Sequence, residues 1–164
     1  DADLLVSSAT GKVFVPSGDA FQWILDNPDI MYSSCSLKEN VFLNYEGKQG
    51  ITVAKGVEDE SLHDGELPLC AVGAELAYKM GINVNFLSMV EIYFPDREKN
   101  ISMANPMANL RNVKIRPGRI VSANSGDANN MVFLPLEEMR TLMGYTNEVS
   151  GVELCSHRTQ ERYP

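Results

Sequence analysis

Hydrophobic and polar positions along this chain switch between a two-residue and a 3.6-residue period, and the switches lay out its elements. From Cys35 to Tyr45 the apolar residues Cys35, Leu37, Val41, Leu43 and Tyr45 fall on odd positions, the alternation of a half-buried strand. After Glu46-Gly47-Lys48-Gln49-Gly50 the odd-position rule resumes with Ile51, Val53 and Val57. Two strands joined by a Gly-containing turn predict a hairpin.

Helical spacing flanks it. Ser17 is placed to cap a short helix with Phe21, Ile24 and Leu25 on one face, stopped by Asn27-Pro28, and Trp23 reads as core with that group. Downstream of an acidic stretch from Glu58 to Pro68, Val72, Leu76 and Met80 with Ala77 predict a second helix ended by Gly81. Val90, Ile92 and Phe94 alternate as a strand closed by Pro95, and Ile101 to Asn109 is irregular. Further strands are expected at Asn112–Arg116 and Arg119–Ala123, broken by Pro117-Gly118. Met131–Leu134 reads as a strand, Pro135 as the first residue of a helix holding Leu136, Met139, Leu142 and Met143, Gly144 as its end, and Val149–Leu154 as the last strand. The predicted class is α+β: mixed, mainly antiparallel sheets with a few short helices. The acidic stretch and the Asn-rich turn at 124–130 are the seams, so residues 58–129 are expected as a β-rich module with one helix. It would be inserted into an outer α/β module of residues 1–57 and 130–164.

Composition narrows the classes. The 164 residues carry a net charge of −8 and are 44% hydrophobic, enough for a core and too acidic for a nucleic-acid surface. No apolar run approaches the ~20 residues of a membrane span. Asp1-Ala2-Asp3 at one end and the polar run Ser156–Pro164 at the other read as cuts in a longer chain; a matured secreted chain would begin the same way.

Candidate chemistry is sparse, and no catalytic, cofactor-binding or metal-ligating residue is predicted. Thr10-Gly11-Lys12-Val13 fails the phosphate-loop pattern at both ends. Cys70 lies seven positions from His63, but a loop and a helix start separate them, so a nucleophile with an oriented base is not expected. The other histidine, His157, is in the tail. Glu58, Asp59, Glu60, Asp64 and Glu66 lack calcium-loop spacing and read as a solvated face. Met103 and Met107 have no Cys or His near them, and Asn100-Ile101-Ser102 is a glycosylation sequon. Three cysteines, Cys35, Cys70 and Cys155, cannot all pair within the chain, and the sequence does not say whether any two do.

Several phrases carry a resemblance. They are Glu39–Tyr45, Val53–Val57, Ala71–Gly81, Val90–Pro95, Met131–Met139 and Glu148–Leu154. In order and spacing they resemble the large extracytoplasmic domain of FtsX-like ABC transporter permeases, the group that includes lipoprotein-releasing and MacB-type systems. The resemblance runs from about Leu4 to Leu154 and is a distributed pattern of core and turn residues. It implies a non-catalytic periplasmic domain of an inner-membrane protein, set between the first two transmembrane helices of a permease. The implied partners are a cytoplasmic ATPase subunit, a second permease subunit, and a periplasmic carrier, fusion protein or lipoprotein. The implied role is to transmit ATP-driven motion, with lipoprotein release the first choice among cargoes. The hairpin tip Tyr45–Gln49 and the Ile101–Asn109 segment are the expected contact surfaces.

Two readings compete with it. A free-standing secreted module would bind a peptide or glycan at its sheet edge. An enzyme would use Cys70 or one of the carboxylates.

Overall fold

The computed structural model describes residues 2–96, 110–124 and 126–156. In chain order they form β1 (Leu4–Ser7), α1 (Asp19–Leu25), β2 (Ile30–Tyr45), β3 (Lys48–Val57), β4 (His63–Asp64), β5 (Leu67–Gly73) and α2 (Ala74–Met80). Then come β6 (Val90–Pro95), β7 (Leu110–Val121), β8 (Met131–Pro135), α3 (Leu136–Met143) and β9 (Gly151–Ser156). The α+β class expected from the sequence is the one found.

The alternation at Cys35–Tyr45 belongs to a 16-residue strand that organises the sheet. Along one edge β2 pairs with β3 from Ser36 to Tyr45. Along the other it pairs first with β9, from Ile30 to Ser36, and then with β6, from Phe42 to Asn44. The strand order β2-β3-β8-β5-β7-β6 therefore returns to β2 and closes a six-stranded ring, while β9 and β1 extend the sheet outward from the other half of β2. Only β3–β8 and β5–β7 are parallel; the other described pairings are antiparallel. Strands from residues 58–129 and strands from the flanking stretches share this one sheet.

The hairpin turn is shorter than the sequence suggests. Glu46 and Gly47 alone make it, both at positive φ as a two-residue hairpin turn demands, and Lys48–Gly50 already belongs to β3. That shortening inverts the inward face of β3. Val41 stands opposite Thr52, Leu43 opposite Gly50 and Leu37 opposite Gly56, so the buried odd residues of β2 face even residues of β3. Ile51, expected inside, is 72% exposed. The inward residues of β3 are small because helices sit on them. The Met80 sulfur of α2 lies over Gly50, and a Cβ on Gly56 would be 2.5 Å from the Cβ of Met139 in α3. These helices and the inner face of the ring form one core, with Leu37, Leu43, Val72, Ile92, Leu134 and Met139 almost wholly buried.

Four more local expectations change. Ser17 does not cap α1; Gly18 occupies that position without a side-chain bond. Pro117-Gly118 does not break β7. Cys70 pairs with Pro117 and Ala71 with Arg119, leaving Gly118 as the extra residue of a bulge against β5. Val72 closes β5 rather than opening α2. Pro135 ends β8 and caps α3 from outside, and Gly81 and Gly144 end their helices in the left-handed conformation as expected.

A second, smaller cluster lies where β9, β2 and β1 meet. Phe21, Ile24 and Leu25 of α1 pack there on Val149, Val152 and Leu154. Trp23 does not join them: it is 73% exposed. In a seven-residue helix lying over a three-stranded extension, only one face can be covered.

Candidate functional site

The residues that chemistry would need are held apart. Cys70 is wholly buried in β5, and burial pushes its thiol up to about 12, so it stays protonated at neutral pH. His63 lies exposed on β4. Cys35 stands opposite Val152 and Cys155 opposite Tyr32, three residues out of step on neighbouring strands, and all three cysteines are free thiols. Burial first, and the Glu58 carboxylate second, raise the Cys35 thiol.

The acidic stretch has structural work. Glu58 accepts the Cys35 backbone N–H at 3.0 Å. Asp59 caps the 3-10 turn Glu60–Leu62, accepting from the Ser61 N–H at 2.9 Å and hydroxyl at 2.6 Å, and meets Arg119 at 2.9 Å. Ser61 first, with Arg119 adding to it, holds the Asp59 carboxyl below its ordinary range. Glu60, Asp64 and Glu66 stay exposed. Among the described residues, no group of three or more His, Cys, Asp or Glu is arranged to hold a metal ion. At Thr10-Gly11, both backbone N–H groups bond to the Ser8 hydroxyl, and Lys12 reaches Glu39 at 3.5 Å. Met103, Met107, the sequon at Asn100, His157 and the Ile101–Asn109 contact segment lie outside the described residues.

Of the two expected contact surfaces, the hairpin tip leaves Glu46–Gln49 exposed but is fastened at Tyr45 and Glu46. Tyr45 is buried, its hydroxyl donating to the Asn83 carbonyl at 3.5 Å and accepting its N–H at 3.4 Å. Glu46 accepts from the Ser88 hydroxyl. The tip thus anchors the stretch after α2, which presents Phe86 and Leu87, the latter 84% exposed. Sequence reading missed this pair. Its only signal was Val84, Phe86 and Leu87 in Asn83–Ser88, a run too short to set a period.

On the outer face of the ring, Phe42 stands opposite both Ile51 and Tyr93, and these three with Leu110, Asn44 and Gln49 line a groove of about 490 Å³. Beside it Glu91 accepts from the Tyr93 hydroxyl, meets Lys114 at 3.3 Å, and takes a long bond from the Asn44 amide at 3.5 Å. Tyr93 first, then Lys114, hold Glu91 below the usual carboxylate range, and Glu91 in turn raises Tyr93. The Asn44 amide oxygen is buried without a partner. The shape and lining of this groove suit an apolar group. It holds no activated nucleophile and no carboxyl raised toward neutrality, as a general acid would need.

The lowered carboxylates set a pH dependence. Asp59 and Glu91 bind protons more weakly folded than unfolded, so their contribution is present above the ordinary carboxylate pKa and is lost as pH falls through the lowered folded values. Urea midpoints are expected to be flat near neutrality and to drop below about pH 4. Each exposed pair is worth less than about 1 kcal/mol. The double variant Asp59→Asn/Glu91→Gln should therefore lose a little stability at pH 7 and show a shallower acid limb. An unchanged limb would place the acid sensitivity elsewhere.

The chain matches no protein-family model and no curated protein in sequence. In fold it is similar to the extracellular domain of the noncanonic ABC-type transporter YknZ from Gram-positive bacteria. The TM-score is 0.56 at 12% identity, over 96% of this chain and 84% of that one. It is also similar to the periplasmic region of MacB from Actinobacillus actinomycetemcomitans, with a TM-score of 0.53 at 10% identity over 92% and 78% of the two chains. At these identities the likeness is one of fold. Among the described residues, no helix is long and apolar enough to cross a membrane.

Proposed function

We propose that this chain is the extracytoplasmic domain of an ABC-type transporter permease, of the FtsX-like, MacB-containing kind, and that it works by contact and motion rather than by bond chemistry. The observation that carries the reading is the fold likeness to two extracytoplasmic transporter domains over nearly the whole chain. The ordered phrases from Glu39 to Leu154 resemble the same family and support it as well. The site geometry agrees: a shielded thiol, carboxylates tied into turns and ion pairs, and apolar surfaces at Phe42/Ile51 and Phe86/Leu87 suited to partners.

In this reading the domain lies on the periplasmic side of an inner membrane, and a cytoplasmic ATPase supplies the energy through the permease and its second copy. Its two positions are biased at one end by nucleotide and at the other by a carrier, a fusion protein or cargo. Lipoprotein release or export is the setting we assign. The parent gene tests this first. An apolar stretch of about 20 residues before Asp1 and three more after Pro164 are expected. A signal peptide upstream and a stop codon downstream would replace the transporter with a secreted module. In the intact transporter, deleting residues 2–156 should abolish transport while leaving basal ATP hydrolysis by the cytoplasmic subunit. Persisting transport would overturn the coupling role.

A further inference from the structure

We propose that the outer face of the β2–β3 ladder binds a single-chain aliphatic carboxylate, its head held between Lys38 and Lys55 and its tail laid over Phe42 and Ile51. This stands apart from the transporter reading, because it depends on the surface of this sheet alone. Four successive outward rungs carry it: Lys38 opposite Lys55, Asn40 opposite Val53, Phe42 opposite Ile51 and Asn44 opposite Gln49. Polarity changes along them, from a cationic end to an apolar one. Four residues of strand put about 13 Å between the lysine rung and the Phe42–Ile51 rung. The helices α2 and α3 lie on the inner face, over Gly50 and Gly56, so neither covers this one.

The cationic end is a groove of about 440 Å³ whose charged lining is Lys12, Lys38, Lys55, Glu39 and Glu153. Lys55 meets Glu153 at 2.5 Å and Lys12 meets Glu39 at 3.5 Å, while Lys38 has no ion-pair partner among the described residues. Like charges directly opposite each other weaken a sheet, and the lysine rung is such a pair. Three lysines against two carboxylates leave one positive charge, which a single carboxylate neutralises. The Asn40–Val53 rung lines this groove and abuts the groove of about 490 Å³ over Phe42 and Ile51. Ile51 is 72% exposed and Phe42 47%, a large apolar pair left in water at the far end of the strip. A neutral lipid would leave Lys38 unpaired, and an anion without a tail would leave that pair in water. The ligand that satisfies both ends carries one negative charge and an apolar tail reaching two rungs past it, which is the chemistry of a medium-chain fatty acid.

Dodecanoate below its micelle concentration is the probe, titrated calorimetrically into the whole chain beside dodecyltrimethylammonium, which has the same tail and the opposite charge. One dodecanoate binds per chain, at least about tenfold more tightly than the cation. That order runs against the net charge of −8, which favours the cation over the rest of the surface. Lys38→Glu should reverse the preference, and Ile51→Thr should weaken dodecanoate about tenfold. Both residues are exposed, so the far-ultraviolet dichroism of the two variants is expected to match the parent. No dodecanoate binding, a preference for the cation in the parent chain, or dodecanoate binding that either substitution leaves unchanged overturns the proposal. Absent binding together with a sedimenting dimer that Ile51→Thr dissolves would overturn it too, and would assign the face to a second copy of this chain.

Discussion

Gly73→Ala is expected to destabilise the domain by about 3 kcal/mol, near the upper end of the usual range for overpacking. The backbone angles at Gly73 are ones alanine adopts freely, so the cost is steric. An added Cβ would stand 2.3 Å from the Ala128 carbonyl oxygen and 2.4 Å from the carbonyl carbon and oxygen of Asn129. Those are backbone atoms of the turn Asp127–Asn130, and the turn cannot easily retreat. Asn129 is bonded twice to Ala123, the Thr52 hydroxyl donates to the Asn130 carbonyl at 2.6 Å, and the Asn130 side chain joins Lys79 and Glu75 of α2. Moving the turn therefore loosens α2, β3 and the exit from β7 together. In a thermal melt the loss corresponds to a fall of roughly 6–12 °C. Gly11→Ala serves as the control, because its new methyl meets nothing nearer than 3.8 Å. Equal melting temperatures for the two variants would show that the turn yields, and that the close approach is not a constraint.

The second large effect is expected at Met139. Met139→Ala should cost about 2–5 kcal/mol, since the side chain is wholly buried between α3 and β3 and its removal leaves a cavity that the closed ring restricts from collapsing. Met139→Leu keeps the volume and should cost less than about 1.5 kcal/mol. The pairing with Gly56 adds a sharper test. Gly56→Ala collides with the Met139 Cβ at 2.5 Å and approaches the Leu136 Cα at 3.3 Å, atoms that Met139→Ala leaves in place. Urea unfolding of the double variant should show Gly56→Ala still destabilising in the Met139→Ala background. Full rescue would mean that the clash is with the outer part of the methionine and that α3 is free to shift.

These sites also mark how far the chain can be read without coordinates. Where one face of one element decides burial, the pattern suffices: Val90, Ile92 and Phe94 are buried as alternation predicts, and Leu136, Met139, Leu142 and Met143 fill the inner face of α3. Where a neighbour decides, it fails. Thr52, Ala54 and Gly56 look like the polar, small side of β3, yet they are the buried side because Met80 and Met139 occupy the space a larger residue would need. Ile51 looks like core, yet it forms an outer cross-strand pair with Phe42. Pro117-Gly118 looks like a break, but a bulge absorbs it because β5 and β6 pair on either side of β7. Trp23 looks like core and stays exposed for a similar reason: hydrophobicity gives the demand for cover, not whether the fold supplies it. For the surfaces, the exposure of Glu60, Asp64 and Glu66 was legible from residue types alone. The placement of Phe86 and Leu87 was not, because it depends on Tyr45 and Glu46 pinning a non-periodic loop to the hairpin tip.

The position of β2 in the sheet fixes how a pull on the chain's ends would travel. β1 has β9 as its sheet neighbour, and β9 passes to the rest of the molecule through β2. A force drawing both ends the same way along the strand axis moves β1 and β9 together and loads the β9–β2 ladder in shear, all its rungs at once. A force pulling the ends apart across the strands peels β1 from β9 one rung at a time before the ring is loaded. The domain is therefore stiff along one axis and yielding across it, and β2 is the spar through which axial tension enters the closed ring.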